Sequence, residues 1–142
     1  MSMKAVTVGA SLHESDPRRL QDRELPIPTP SSHDLLVAVA AVAVNPVDLK
    51  VRDATGADSP APRVLGWDAS GVVRAVGAEV SLFRVGDAVF YAGEITRPGS
   101  NAEFQLVDER LAGRKPRSLS FAEAALGHRG QRITVVIPAA AV

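Results

Sequence analysis

The sequence predicts a mainly β domain of the α+β kind, β-rich and barrel-like with short helices. Three observations predict it. Turn-forming Gly, Pro, Asn and Asp residues recur at short intervals; the segments between them are short and rich in Val or alternate in polarity; and the regular strand–helix alternation of a parallel sheet is missing. At 142 residues the chain has the size of one ordinary domain, long enough to bury a core.

The elements follow in order. Residues 4–8 alternate around Val6 and Val8, and residues 20–25 run into Pro26-Ile27-Pro28-Thr29-Pro30, so both read as short strands beside a proline-rich turn. Residues 34–44 are apolar on both faces, with Leu35, Val37, Val39 and Ala41 on one and Leu36, Ala38, Ala40 and Val42 on the other. That strand is expected to be buried on both sides. Asn45 then suits a helix N-cap and Pro46 its first turn, with the helix running to about Arg52. Residues 53–62 read as a loop, 71–77 and 87–91 as strands, and 94–101 as a loop. Residues 102–107 and 111–115 read as further strands, the second broken by Gly113. Ser120 with Glu123 makes a capping box at a final helix start, and residues 133–137 are β-prone.

Composition narrows the function classes. Basic and acidic residues number 16 each, so net charge is zero and nothing points to nucleic acid or an anionic membrane. No apolar run approaches the roughly 20 residues of a membrane span, and the start lacks the apolar segment of a secretion signal. A cytoplasmic location is expected. Cysteine is absent, which removes disulfides, thiolate metal ligands and cysteine nucleophiles together. His13, His33 and His128 fall in segments read as loops, where solvated or capping roles are expected, and the charge run Asp108-Glu109-Arg110 reads as a solvated turn. No serine sits in a Gly-x-Ser-x-Gly elbow, which disfavours a hydrolase.

Five segments carry a resemblance: Asn45-Pro46-Val47-Asp48, Leu65-Gly66-Trp67-Asp68-Ala69-Ser70-Gly71, Gly86-Asp87-Ala88-Val89-Phe90-Tyr91-Ala92-Gly93, Arg97-Pro98-Gly99-Ser100-Asn101-Ala102-Glu103-Phe104 and Leu119-Ser120-Phe121-Ala122-Glu123-Ala124-Ala125. In this order they resemble the N-terminal GroES-like catalytic domain of the medium-chain dehydrogenase/reductase superfamily. The wording is similar to its zinc-type alcohol dehydrogenase-like and zinc-independent quinone oxidoreductase-like members. The resemblance covers residues 3–125 and implies a GroES-like partly open barrel as domain 1–125, followed by a divergent tail, 126–142, that could add a strand.

The resemblance also implies a chemistry: hydride transfer from NADPH to a quinone, enone or related carbonyl compound, in which the protein supplies orientation and electrostatics. Where zinc-dependent relatives place a cysteine ligand this sequence has Asn45, and where they place a histidine it has Trp67. Neither is a usual zinc ligand, so no metal is expected. Candidate cleft residues are Asn45, Asp48, Lys50, Trp67 and Tyr91, with no residue singled out as catalytic. Each has a structural alternative: Asn45 a helix cap, Asp48 a backbone hydrogen bond near the helix start, Lys50 a solvated cation, Trp67 core packing, and Tyr91 packing on a strand.

The family continues with a nucleotide-binding domain, whereas residues 126–142 diverge. The expectation is therefore a truncated or frame-shifted product that binds NADPH poorly and is inactive or nearly so alone, self-associating or awaiting a nucleotide-binding partner. The alternatives are a non-enzymatic self-associating or partner-binding module, or one half of a split enzyme.

Overall fold

Strand β3, Asp34–Ala43, organises the molecule, because both of its faces are apolar and both are covered. Leu35, Val37, Val39 and Val42 are buried in one core, whereas Ala41, expected on the face of Leu35, packs with Ala43 and Ala125 because the register shift between Val39 and Ala41 exchanges the two faces. The computed structural model describes residues 1–9, 16, 20–55 and 62–127, and the backbone of residues 136–138. One side of β3 pairs antiparallel with β5, Asp68–Val76. Its other side pairs with β7, Phe104–Asp108, over residues 34–38 and with β9, Val136–Pro138, over residues 41–43. β6, Ala88–Ala92, extends the sheet beyond β5, and β8, Ala112–Arg114, lies outside β6. All of these pairings are antiparallel.

A second described sheet joins β1, Ser2–Val8, to β2, Leu20–Pro26, and β4, Arg63–Val64, in the order β2-β1-β4. The segment before β7 stitches the two sheets into a partly open barrel. Asn101 accepts from the Val6 N–H at 2.8 Å and donates its own N–H to Leu65; Glu103 donates its N–H to Lys4 and accepts from Val39 at 2.9 Å.

The main core is Leu35, Val37, Val39, Val42, Ala69, Val73, Val89, Tyr91 and Val107. Each such large apolar side chain contributes about 1.5–3 kcal/mol by leaving water. A smaller cluster of Val8, Leu65 and Trp67 takes Val47 and Val51 from helix α1, Pro46–Ala54. Helix α2, Phe121–Leu126, has the expected Ser120–Glu123 capping box and lies against β3 and β5, burying Ala124 and Ala125. Ser70 Oγ donates to the Phe121 carbonyl at 2.6 Å and ties β5 to that helix. No described helix is long and apolar enough to cross a membrane.

Several expectations change. α1 continues to Ala54, and β5 begins at Asp68 instead of Gly71. Gly113 lies inside β8 and does not break it. It pairs with Phe90, whose ring would sit 2.8 Å from any Cβ there, so the glycine makes room for that ring. The charge run at 108–110 is not simply a solvated turn. Glu109, in the 3₁₀ turn Glu109–Leu111, is 2% exposed, and its Oε2 accepts from the N–H groups of Ser81 and Leu82 at 3.0 and 2.7 Å. His33, expected to be solvated or capping, bridges two carboxylates, with Nδ1 2.9 Å from Glu109 Oε1 and Nε2 3.2 Å from Glu79 Oε2. The Leu82 N–H, then His33, hold the Glu109 carboxyl below its ordinary range. His13, His128, residues 56–61 and residues 133–135 lie outside the described residues.

Candidate active site

The junction between β3 and α1 builds one wall of a cleft. Pro46, with its fixed φ and missing N–H, opens the helix without losing a backbone hydrogen bond. Asn45 occupies the N-cap position in extended backbone geometry, yet its side chain makes no cap bond. The cap comes from the other direction: the Asn45 N–H donates to Asp48 Oδ2 at 2.7 Å. The Asn45 amide is turned across the cleft, donating to Asp68 Oδ2 and, at 3.5 Å, to the Ala43 carbonyl.

Asp68 reaches that amide because it opens β5 directly opposite Ala43, the last residue of β3. The chain arrives there through a turn at Gly66, whose φ of +92° suits only glycine. A Cβ at Gly66 would also meet Asn101 Oδ1 and Ser100 Oγ at 2.6 Å. Trp67 follows, 3% exposed, its indole N–H donating to the Glu94 carbonyl at 2.8 Å and its ring 5.8 Å from the Arg63 guanidinium. The ring is thus locked in plane by a hydrogen bond at one end and packing along its length.

These groups enclose a cavity of about 370 Å³, on whose wall lie Asn45, Lys50, Trp67, Asp68 and Ile95. Asn45 and Asp68 are each 8% exposed, whereas Lys50 is exposed. Asp48 is 6% exposed, outside the cavity lining, and its Oδ1 has no hydrogen-bond partner. Burial pushes the Asp48 carboxyl above its ordinary range and the Asp68 charge adds to this, while the Asn45 N–H opposes both.

Four of the five candidate residues therefore converge at one end of β3. Trp67 serves both readings at once, since it packs in the second core cluster and faces the cavity. Tyr91 does not join them. Its neighbour Ala92 lines the cavity, and strand alternation sends Tyr91 the other way, into the main core, where it is fully buried. Its hydroxyl donates to Gln105 Oε1 at 2.9 Å, and burial pushes the phenol far above its ordinary range. Asp68 is the cleft residue missed as a candidate; its one sequence signal is a carboxylate beside Trp67 in an otherwise small and apolar segment. Among the described residues no three His, Cys, Asp or Glu side chains converge as a metal-holding group.

A partly open barrel with a cleft at the end of its central strand defines a class, the GroES-like domains of alcohol dehydrogenases. The family model for the alcohol dehydrogenase GroES-like domain matches residues 31–139, and the chain belongs to that family. A zinc-type alcohol dehydrogenase-like protein of Staphylococcus epidermidis is 42% identical over 123 residues, 87% of this chain and 36% of its own. An NADPH-dependent alkenal/one oxidoreductase, chloroplastic, of Arabidopsis thaliana is 39% identical over 108 residues, 70% of this chain and 28% of its own. Among solved structures, a Rhizobium etli protein of zinc-dependent alcohol dehydrogenase type superposes with a TM-score of 0.82 at 57% identity, over 88% of this chain and 36% of that one. A quinone oxidoreductase of Coxiella burnetii gives 0.79 at 28% identity, over 88% and 40%. The chain spans roughly a third of the length of the curated relatives it matches.

Proposed function

We propose that this domain forms the substrate side of a zinc-independent, NADPH-dependent reductase of quinones, enones or related carbonyl compounds. The observation that carries the reading is the cavity of about 370 Å³ with an immobilised indole on one side and the Asn45–Asp68 pair on the other. Its size suits a single small ring, oriented by a few polar groups. The amide and indole at the positions of the relatives' metal ligands support zinc independence, and the names of the Arabidopsis and Coxiella relatives support the cofactor and the substrate class.

The residues present fit a flat ring but not a dinucleotide's phosphates. Both described helices of this domain begin with a carboxylate on a backbone N–H, Asp48 at α1 and Glu123 at α2. A carboxylate there takes the place an anion would use and repels phosphate. In this reading the diphosphate is held by another unit, and this chain by itself is inactive or nearly so and binds NADPH poorly. Leu49 and Ile95, 48% and 51% exposed on α1 and the cavity wall, offer an apolar rim to that unit, whether a nucleotide-binding partner or a second copy of the chain. In this reading residues 1–125 are the barrel, residues 126–142 are an added tail, and the protein is cytoplasmic.

Trp67 is the only tryptophan, so its fluorescence reports on the cavity directly. Titration with duroquinone should quench it along a saturable curve. A linear curve matching free N-acetyltryptophanamide would overturn the reading.

A further inference from the structure

Gly93 and Ile95 lie on the cavity wall, and the chain through them is held one residue at a time. The Gly93 N–H donates to the Trp67 carbonyl at 2.8 Å, the Trp67 indole N–H donates to the Glu94 carbonyl at 2.8 Å, and the Arg63 guanidinium donates to the Ile95 carbonyl. The first two holds belong to a buried tryptophan. The third is a single half-buried side chain, and the Ile95 backbone has no other hydrogen bond among the described residues. Beyond Ile95 the chain turns back, with the Arg97 N–H donating to the Glu94 carbonyl at 3.2 Å and the Arg97 side chain to Asp34 Oδ1 at 2.9 Å.

Arg63 is placed to do two things at once. It opens β4 opposite Val8 of β1, and its guanidinium lies 5.8 Å from the centre of the Trp67 ring while it reaches Ile95. Arg52, Arg97, Arg110 and Arg114 each pair with a carboxylate. Among the described residues Arg63 has no such partner, and its donors and face serve a carbonyl and an indole instead. A planar guanidinium can donate along its edge while its face lies on a ring, which an ammonium on a flexible stem cannot do in one geometry. Trp67 is 3% exposed and packed with Val8 and Leu65, whereas Ile95 is 51% exposed and has one backbone tether. Ile95 is therefore the wall residue that shifts if the tether is lost.

Resting on the reductase reading above, we propose that Arg63 is a positioning residue that sets the size of ring the cavity takes. By tying the Ile95 carbonyl to the fixed Trp67 ring, it holds two wall residues at one separation, which admits a small ring and keeps out one with bulky substituents. Neither core cluster includes Arg63, so truncating it should leave the fold standing.

Arg63→Met keeps the stem and removes the donor. Amide exchange in the intact variant tests the tether without ligand: the Arg97 amide should exchange about tenfold faster, while the Gly93 amide, held by the Trp67 carbonyl, keeps its rate. No change at Arg97, or equal acceleration at both amides, would overturn the proposal. The second measurement is selectivity, read by Trp67 quenching. Duroquinone should bind the unaltered chain more tightly than 2,6-di-tert-butyl-1,4-benzoquinone does. The ratio of their dissociation constants should shrink about tenfold in Arg63→Met and nearly as much in Arg63→Lys, which keeps the charge but not the fork. An unchanged ratio in Arg63→Met, or full selectivity in Arg63→Lys, rules the role out, and so does failure of both variants to fold. Absence of quenching by either quinone in the unaltered chain sinks the reductase reading and the size selection with it. The Arg97 and Gly93 exchange rates tell that outcome apart from loss of the tether alone.

Discussion

Glu109 and Asp48 are both buried carboxylates near the start of a helical turn, and their surroundings send them in opposite directions. Glu109 has both oxygens engaged, one by His33 and one by the Ser81 and Leu82 N–H groups, and its carboxyl is held low. Asp48 has one strong donor, a bare oxygen and a neighbouring carboxylate, and its carboxyl is pushed up. For Asp48 burial outweighs the hydrogen bonds it accepts, and for Glu109 the hydrogen bonds, the Leu82 N–H first, outweigh burial. A saturated acid pins a loop, while burial beside a second carboxylate raises the pKa of the other.

The comparison can be broken by substitution. Glu109→Ala should cause the largest loss of stability, because it leaves two loop N–H groups and His33 Nδ1 without their partner; calorimetry should show Tm dropping further than for any variant below. Asn45→Ala should weaken saturable duroquinone quenching about tenfold, since it frees Asp68 from its charge-assisted partner. Tyr91→Phe should cost about 1 kcal/mol in chemical denaturation, by leaving Gln105 Oε1 without its donor, and leave quenching unchanged. A quenching change in that variant would return Tyr91 to the cleft. Lys50→Met should alter stability by less than about 0.5 kcal/mol and weaken quenching by a small factor.

Acid titration sharpens the contrast. The Glu109 pKa is lower in the folded state than in the unfolded one, so its stabilisation is present above the unfolded value and disappears as pH falls through the folded value. Asp48 behaves oppositely: its pKa is raised on folding, so it disfavours the folded state above that raised value, and the penalty is relieved as pH falls. Denaturation midpoints between about pH 4 and 8 should therefore lose slope on the acid side in Glu109→Gln and gain stability on the neutral side in Asp48→Asn. The same slope in both variants would mean that the two acids share one environment.

How far the sequence reveals this follows from which interactions are local. The doubly buried β3, the Asn45-Pro46 helix entry and the Ser120–Glu123 box depend on neighbours a few residues apart, and all three are legible. Most of the cleft is legible through the resemblance. Asp68 is not, because its contact with Asn45 depends on the Ala43–Asp68 register between β3 and β5. Tyr91 turns on the facing of a five-residue strand, where a shift of one position exchanges core for cavity. Glu109 reads as solvated because the donors that bury it come from residues 81 and 82, far along the chain.

The ribbon at residues 99–103 joins three parts of the molecule. Gly99, Ser100 and Asn101 donate to Val64, Gly66 and Leu65, Asn101 accepts from β1, and Glu103 accepts from β3. The small sheet, the cleft turn and the large sheet thereby melt as one cooperative unit, and the amide hydrogens of Val6, Val39 and Asn101 should exchange with solvent deuterium at one common, slow rate.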